Sequence, residues 1–181
     1  MSDVIRGRRW RRVALGLVLG TIVMGMGAIP ALAATTVFTA TYPDERTTFH
    51  PCPPGFPPHA VCFTGVGHGA TVVGTMTLNG TEDYAGFVDP NTPGSPIPAC
   101  PADHNAVSIT TTRGTLFLTT SGSACGAFDD GTWQALGGTG IFEGATGGGT
   151  VHTTVNPVAN TDGSLNSSST YLGTTFSLHS D

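Results

Sequence analysis

The feature that most restricts the fold is a period of two: from Thr35 onward, short segments alternate apolar and polar residues, with glycines at nearly every junction. This alternation is typical of β-strands with one buried face. No stretch of this region has the spacing of an amphipathic helix, and its many Gly, Pro and Thr residues are poor helix formers. With only 10% charged residues, the chain also lacks the charge that coiled coils and charged disordered chains need. The sequence therefore predicts an all-β protein.

The segments and the turns between them predict about eight to ten short strands. Asn79-Gly80 is a strong hairpin-turn signal, and we expect a loop rich in Pro and Gly over residues 89–104. The last segment alternates most regularly, with Leu172 and Phe176 on one face and Tyr171 on the other. Strands of this number and length form either a sandwich or a closed antiparallel barrel. The predicted strands span residues 37–41, 61–66, 70–78, 81–88, 106–112, 114–120, 132–136, 141–145, 149–155 and 168–178.

The first 33 residues have the pattern of a secretory signal peptide. A basic start is followed by a charge-free apolar run over residues 13–29, then by Pro30 and an Ala-Leu-Ala ending at Ala33. The alternative is a retained transmembrane anchor, because residues 13–33 are about long enough to span a bilayer. Pro30 and the glycines within the run favour cleavage after Ala33. Paired arginines leave both the general secretory and the twin-arginine export routes open; the arginines are Arg6, Arg8, Arg9, Arg11 and Arg12.

Residues 34–181 are expected to form a single domain, and this mature part is strongly acidic. It keeps only Arg46 and Arg113 against eleven of the twelve acidic residues, so its formal charge is −9. Such a surface repels phosphate backbones and anionic lipid headgroups. We therefore expect no nucleic-acid partner, no membrane partner once the leader is removed, and a secreted, extracellular protein.

All four cysteines lie in the mature part, and an even number in an exported chain predicts two disulfides. Of the three possible pairings, Cys52–Cys62 and Cys100–Cys125 are favoured because each closes a connection rich in Pro or Gly. Zinc binding is the alternative, but the chain has neither a C-x-x-C nor an H-x₃₋₅-H spacing. We expect no metal.

One stretch, WQALGGTGIFEGATG over residues 133–147, resembles the G-G-[ST]-G-x-F-x-G-x-x-G signature of allene oxide cyclases, dirigent proteins and the bacterial secreted proteins that look like them. The resemblance implies an eight-stranded antiparallel barrel with an apolar lumen, with a sandwich as the alternative, and it suggests a homo-oligomer. We expect a turn over residues 137–140 feeding a bent strand on which Phe142 packs. The matching residues are Gly137, Gly138, Gly140, Phe142, Gly144 and Gly147.

The signature marks a fold and not a catalytic site. The cyclases are similar in using a glutamate inside the lumen, but it comes from another strand, so no catalytic residue can be transferred to this chain. The chain's own candidates for acid–base chemistry are Glu143, His152 and His104, the last beside Asp103. For each of them the alternative is a solvated residue on the outer surface, which is the commoner environment for an acid or a loop histidine.

The function that follows from such a barrel is binding of a small apolar molecule in its lumen. One alternative is a cyclase or isomerase of the allene oxide cyclase or dirigent type, in which shape and proximity carry most of the catalysis. Another is a structural extracellular module whose barrel is filled by its own side chains. No hydrolase, metalloprotease or phosphate-loop motif occurs, and we expect no cofactor.

Overall fold

A computed structural model describes residues 35–89 and 100–178 of the chain, and within them nearly every regular element is a strand. The one helical element in these ranges is a short 3-10 turn, Gly140–Phe142. None of the described helical segments is long and apolar enough to cross a bilayer. The strands are β1 Phe38–Pro51, β2 Val61–Val73, β3 Met76–Asp89, β4 Ala102–Thr111, β5 Gly114–Cys125, β6 Phe128–Gly138, β7 Gly148–Val155 and β8 Leu165–Gly173.

The eight strands form one closed antiparallel barrel in which each strand pairs with its neighbours in sequence. The barrel closes where β1 pairs with β8, with Thr39 opposite Leu172 and Thr47 opposite Leu165. Closure leaves no free sheet edge, which removes the main route to edge-to-edge aggregation. The predicted all-β class and closed barrel of about eight strands are confirmed, and the alternative sandwich is not formed.

The hairpin between β2 and β3 does not turn where the sequence predicted. Asn79-Gly80 lies inside β3, paired with β2 through Gly69 and Ala70. The chain instead reverses at residues 74–75, where Gly74 has a φ of +61°. A two-residue hairpin loop needs this positive φ at its first position, and glycine adopts it without a steric penalty. The misplaced turn split one long strand into two short ones.

The signature motif and the last segment also differ from expectation. Residues 141–145 form no strand: the chain passes through the 3-10 turn, and Phe142 is fully buried at its end. β8 ends at Gly173, so the predicted alternation does not continue beyond it, and residue Ser177 makes only an isolated bridge to Thr146. Of the six motif positions, four glycines have positive φ angles: Gly137, Gly140, Gly144 and Gly147.

One end of the barrel, here called the sealed end, is closed by packed aromatic rings. It is the end with the turns after β2, β4 and β6. The Phe38 ring lies 4.9 Å from that of Trp133 and 4.6 Å from that of Phe176. Phe142 and Phe176 are fully buried there. Each such ring removes a large apolar area from water, so this end holds most of the hydrophobic core.

The opposite end, here called the open end, carries the connections after β1, β3, β5 and β7 and both disulfides. Cys52 is bonded to Cys62 across the proline-rich β1–β2 connection. Cys100, just before β4, is bonded to Cys125 at the end of β5. The predicted pairing is confirmed. The predicted signal peptide, residues 1–33, and its cleavage after Ala33 lie outside the described residues and stay predictions.

Candidate functional site: an acidic barrel lumen

A cavity of about 160 Å³ lies in the lumen toward the open end. Its wall combines aliphatic and aromatic side chains with carboxyl, hydroxyl and phenol groups. For comparison, an engineered apolar cavity of about 150 Å³ can hold benzene. The residues that surround it are Glu45, Thr47, Phe49, Phe63, Glu82, Tyr84, Val88, Asn105, Val107, Ala124, Gly126, Phe128, Asp129, Thr153, Val155, Leu165, Ser169 and Tyr171.

A β-bulge turns Glu45 into this cavity. Upstream in β1 the buried residues are Phe38, Ala40 and Tyr42, which have even numbers; after the register shift the buried ones are Glu45 and Thr47. Tyr42 and Pro43 together face one residue of β2, and the extra residue reverses which side chains point inward. Proline has no N–H to give to a neighbouring strand, so a bulge is where a strand tolerates it.

Glu82 enters the lumen from β3 and completes a pair of carboxyls with Glu45, here called the Glu pair. Tyr171 donates a hydrogen bond to Glu82 Oε1, and Ser167 donates one to Glu45 Oε2 over 3.0 Å. The other two oxygens, Glu45 Oε1 and Glu82 Oε2, are buried without a hydrogen-bond partner. A buried polar atom in this state costs free energy unless a proton or a ligand satisfies it.

The Glu pair binds protons more tightly than free glutamates do. Burial raises the pKa of Glu82 well above its usual range, and the neighbouring charge of Glu45 raises it further. Burial also raises the pKa of Glu45, although hydrogen bonds from serine oppose that shift. Two carboxyls this close cannot both ionise without strong repulsion, so they titrate as a unit. The protonated Glu82 then donates to Glu45 and supplies the missing hydrogen.

A second pair of carboxyls, Asp103 and Asp129, lies closer to the open end and is here called the Asp pair. Burial, followed by the charge of Asp103, raises the pKa of Asp129 to about 8. Asn105 donates to Asp103 Oδ2 over 2.7 Å and to Thr120 Oγ1 over 2.8 Å. Asp103 is 2% exposed, and its carboxyl is hydrogen-bonded to that of Asp129. The lumen thus contains two pairs of neighbouring carboxyls.

Three glycines of β2 make room for the side chains that cross the lumen. A Cβ on Gly65 would lie 2.1 Å from Tyr84 Cζ, and one on Gly67 would lie 2.6 Å from Glu45 Cγ. Both distances are far below van der Waals contact. The Gly-x-Gly-x-Gly alternation over residues 65–69 therefore leaves a bare stretch of wall, on which Tyr84 and Glu45 lie.

Tyrosine and hydroxyl side chains complete the polar base of the cavity. Tyr84 Oη lies 2.6 Å from Thr47 Oγ1 and 3.4 Å from Ser167 Oγ. Burial raises the pKa of Tyr84 to about 12 and that of Tyr171 well above its ordinary value. Both phenols therefore stay protonated at neutral pH and can serve as hydrogen-bond donors.

The three candidate residues from the sequence lie outside the lumen. Glu143 is exposed just after the 3-10 turn. His152 lies on the outer face of β7, where its Nδ1 is 2.5 Å from Asp130 Oδ1. His104 is exposed on the outer face of β4, with Nδ1 3.2 Å from Ser121 Oγ. The strand alternation sends each of the two histidines away from the cavity, so none of the three contributes to this site.

The sequence did not predict the buried acids because the predicted strands were too short. In a strand, every second residue faces the same side, so Leu78, Glu82 and Tyr84 share one face of β3. The turn predicted at residues 79–80 separated Leu78 from the other two. Asp103 faces the same side of β4 as Val107 and Ile109, but it lay in the predicted loop. For Glu45 the signal was Pro43 inside a strand, which marks a bulge.

Positive charge is absent from the described part of the cavity wall, which contains neither Arg, Lys nor His. Arg46 points outward from β1 to Ser164 and Asp162, and Arg113 is exposed in the β4–β5 turn. In the described ranges no three His, Cys, Asp or Glu side chains are grouped to hold a metal ion.

Comparison with known proteins gives likeness only to solved structures, and it is distant. No protein-family model matches the sequence, and neither does any curated protein. Among solved structures, the chain is similar to a pyocyanin demethylase, with 19% sequence identity and a TM-score of 0.41 over 76% of this chain and 98% of the other. A likeness at this level carries no inference about what this chain binds or does.

Proposed function

We propose that the protein binds a small, mainly apolar molecule in the barrel lumen. The observation that carries this proposal is the cavity of about 160 Å³, which adjoins the buried Glu pair and faces the open end. A purely structural barrel would be filled by its own side chains, as the sealed end is. Concave sites with an apolar wall and a few convergent polar groups are where proteins bind small molecules.

The wall chemistry suggests how such a molecule would lie. Phe49, Phe63, Val107 and Val155 provide apolar surface, and the Glu pair, Asp129 and Tyr84 provide polar groups on the same wall. An apolar body would be buried against the former while its polar atoms meet the carboxyls and phenols. The sealed end leaves the open end as the route of access. The resemblance to allene oxide cyclases and dirigent proteins supports the same use of the lumen, and the two disulfides support a location outside the cytoplasm.

Binding can be tested by filling the lumen near the open end. We expect neutral probes such as indole and 1-hexanol to raise the melting temperature with concentration, as any ligand specific for the folded state does. Val155→Phe places a ring in the cavity and should abolish the rise. Val158→Phe makes the same change at a residue that is 71% exposed, and it should leave the rise intact. Equal responses of the two variants, or no response of the original protein, would contradict binding in the lumen.

Acid–base catalysis is a second candidate, favoured by the Glu pair. Protonated Glu82 can donate a proton while ionised Glu45 accepts one, which is the arrangement that an isomerase needs to move a proton between two carbons. The test is conversion of a small β,γ-unsaturated ketone to its conjugated isomer, followed by absorbance. Glu82→Gln keeps the shape and removes the acid, so it should reduce turnover by about a hundredfold or more. Turnover that survives in this variant would contradict the role.

A further inference from the structure

The Glu pair lines the cavity, and its two carboxyls are hydrogen-bonded to each other. Glu45 and Glu82 are 2% and 0% exposed, and Glu45 Oε1 and Glu82 Oε2 have no hydrogen-bond partner outside the pair. One proton between the two carboxyls can serve both oxygens. A ligand with two N–H donors could replace that proton and give each oxygen a hydrogen bond of its own, in the manner of a fork between two acceptors.

The charge balance of the lumen points the same way. Three carboxyls line the cavity, those of Glu45, Glu82 and Asp129. The described cavity wall offers no cation to neutralise them, and both arginines of the mature part are engaged or exposed outside the barrel. Buried charge without a counter-charge is costly. A bound cation would relieve that cost, whereas an anion would increase it.

A row of aromatic rings on the inner wall leads from the opening toward the Glu pair. The Phe49 ring lies 5.8 Å from that of Phe63, and the Phe63 ring lies 6.3 Å from that of Tyr84. Tyr84 in turn lies beside the Glu pair, bonded to Thr47 and Ser167. The faces of such rings attract cations as well as apolar groups.

We propose that the lumen selects an organic cation: a small apolar or aromatic body with a positively charged, N–H-donating head group that binds the Glu pair. This inference rests on the proposed function and adds the charge and the donor chemistry of the ligand. An organic cation fits better than a metal ion, because no three ligating side chains are grouped in the described chain and much of the wall is apolar.

The test compares three probes of nearly one shape: benzamidinium, benzamide and benzoate, which are cationic, neutral and anionic. Titration calorimetry on the purified protein should give benzamidinium the tightest binding, by about tenfold or more over benzamide, with benzoate weakest. Val155→Phe should weaken benzamidinium as well, which places the binding in the lumen.

Variants then assign the preference to the Glu pair. The double variant Glu45→Gln/Glu82→Gln keeps both side-chain shapes and should reduce the benzamidinium-to-benzamide ratio to about one. If it does not fold, Glu45→Gln alone serves, since its amide can still accept from Ser167 and donate to Glu82. Glu143→Gln removes the same charge from the outer surface and should leave the ratio unchanged.

Three results would overturn the inference, and they separate it from the proposed function. If benzamide binds as tightly as benzamidinium and Val155→Phe weakens both, the lumen binds ligands without selecting cations. If benzamidinium binding survives in both the Val155→Phe and the double variant, it occurs on the acidic outer surface. If none of the three binds, the inference is wrong, and the indole and 1-hexanol titrations decide the proposed function separately.

Discussion

The two ends of this barrel are built from the same strands but differ in what fills them. At the sealed end, Phe38, Trp133, Phe142 and Phe176 fill the space between the strands and exclude water. At the open end, the same alternation points carboxyls and phenols inward around a cavity. The sealed end is held by packing, whereas the open end is held by hydrogen bonds and two disulfides. Aromatic packing and the buried polar groups are thus largely separated along the barrel axis.

The largest effect should come from breaking the packing of the sealed end. Phe38→Ala removes a ring that contacts two other buried rings, and we expect it to lower the free energy of unfolding by about 3–5 kcal/mol. Denaturant titration measures this directly. Phe117→Ala is the matched control, because Phe117 is 42% exposed on the outer face and its loss should cost less than about 1 kcal/mol. Equal losses would show that the sealed end is not the main source of stability.

Removing a disulfide should have an intermediate effect that is confined to the open end. Replacing either pair by serines should lower the free energy of unfolding by about 2–4 kcal/mol, with the larger loss for the longer loop. The loops differ because the cysteines are 10 residues apart in one pair and 25 in the other. Amide hydrogen exchange should show faster opening near the missing bond and unchanged protection around Phe38. Loss of protection at both ends alike would refute the separation.

The smallest effect concerns pH and the Asp pair. The pKa of Asp129 is raised in the folded protein to about 8, so the folded state binds this proton more tightly than the unfolded state does. Its contribution to stability is therefore complete below about pH 4 and is lost as the pH rises through about 8. Asp129→Asn keeps a donor toward Asp103 without the ionisation. We expect it to raise the melting temperature by a few degrees, about 1–2 kcal/mol, at about pH 8 and hardly at all at about pH 4.

Asp130→Asn provides the control for that measurement. Asp130 is the next residue in β6, and its side chain is 64% exposed on the outer face, beside His152. Exposed ion pairs contribute little, so this variant should leave the melting temperature nearly unchanged across the same range. A stabilisation at high pH as large as that of Asp129→Asn would mean that burial in the lumen is not its cause.

The sequence predicted the class of the fold far better than the contents of the lumen. Alternation and glycine spacing are local properties, and they were enough for an all-β barrel and for the disulfide pairing. Which side chains face inward depends on strand length and on single-residue register, and both are decided by pairing between distant segments. The positions of Glu82 and Asp103 followed from strands longer than the local pattern indicated. His152 was placed on the outer face by the same alternation that buries Val151.

The bulge at Pro43 gives β1 one place where a change in chain length can be absorbed. Tyr42 and Glu45 both face inward although an odd number of positions separates them, because Pro43 is an extra residue between them. Deleting Pro43 would restore regular alternation and leave Glu45 inward and Arg46 outward. We expect such a deletion variant to keep the preference for benzamidinium over benzoate. Insertions and deletions at this bulge can therefore accumulate in evolution without changing which charged side chain of β1 faces the lumen.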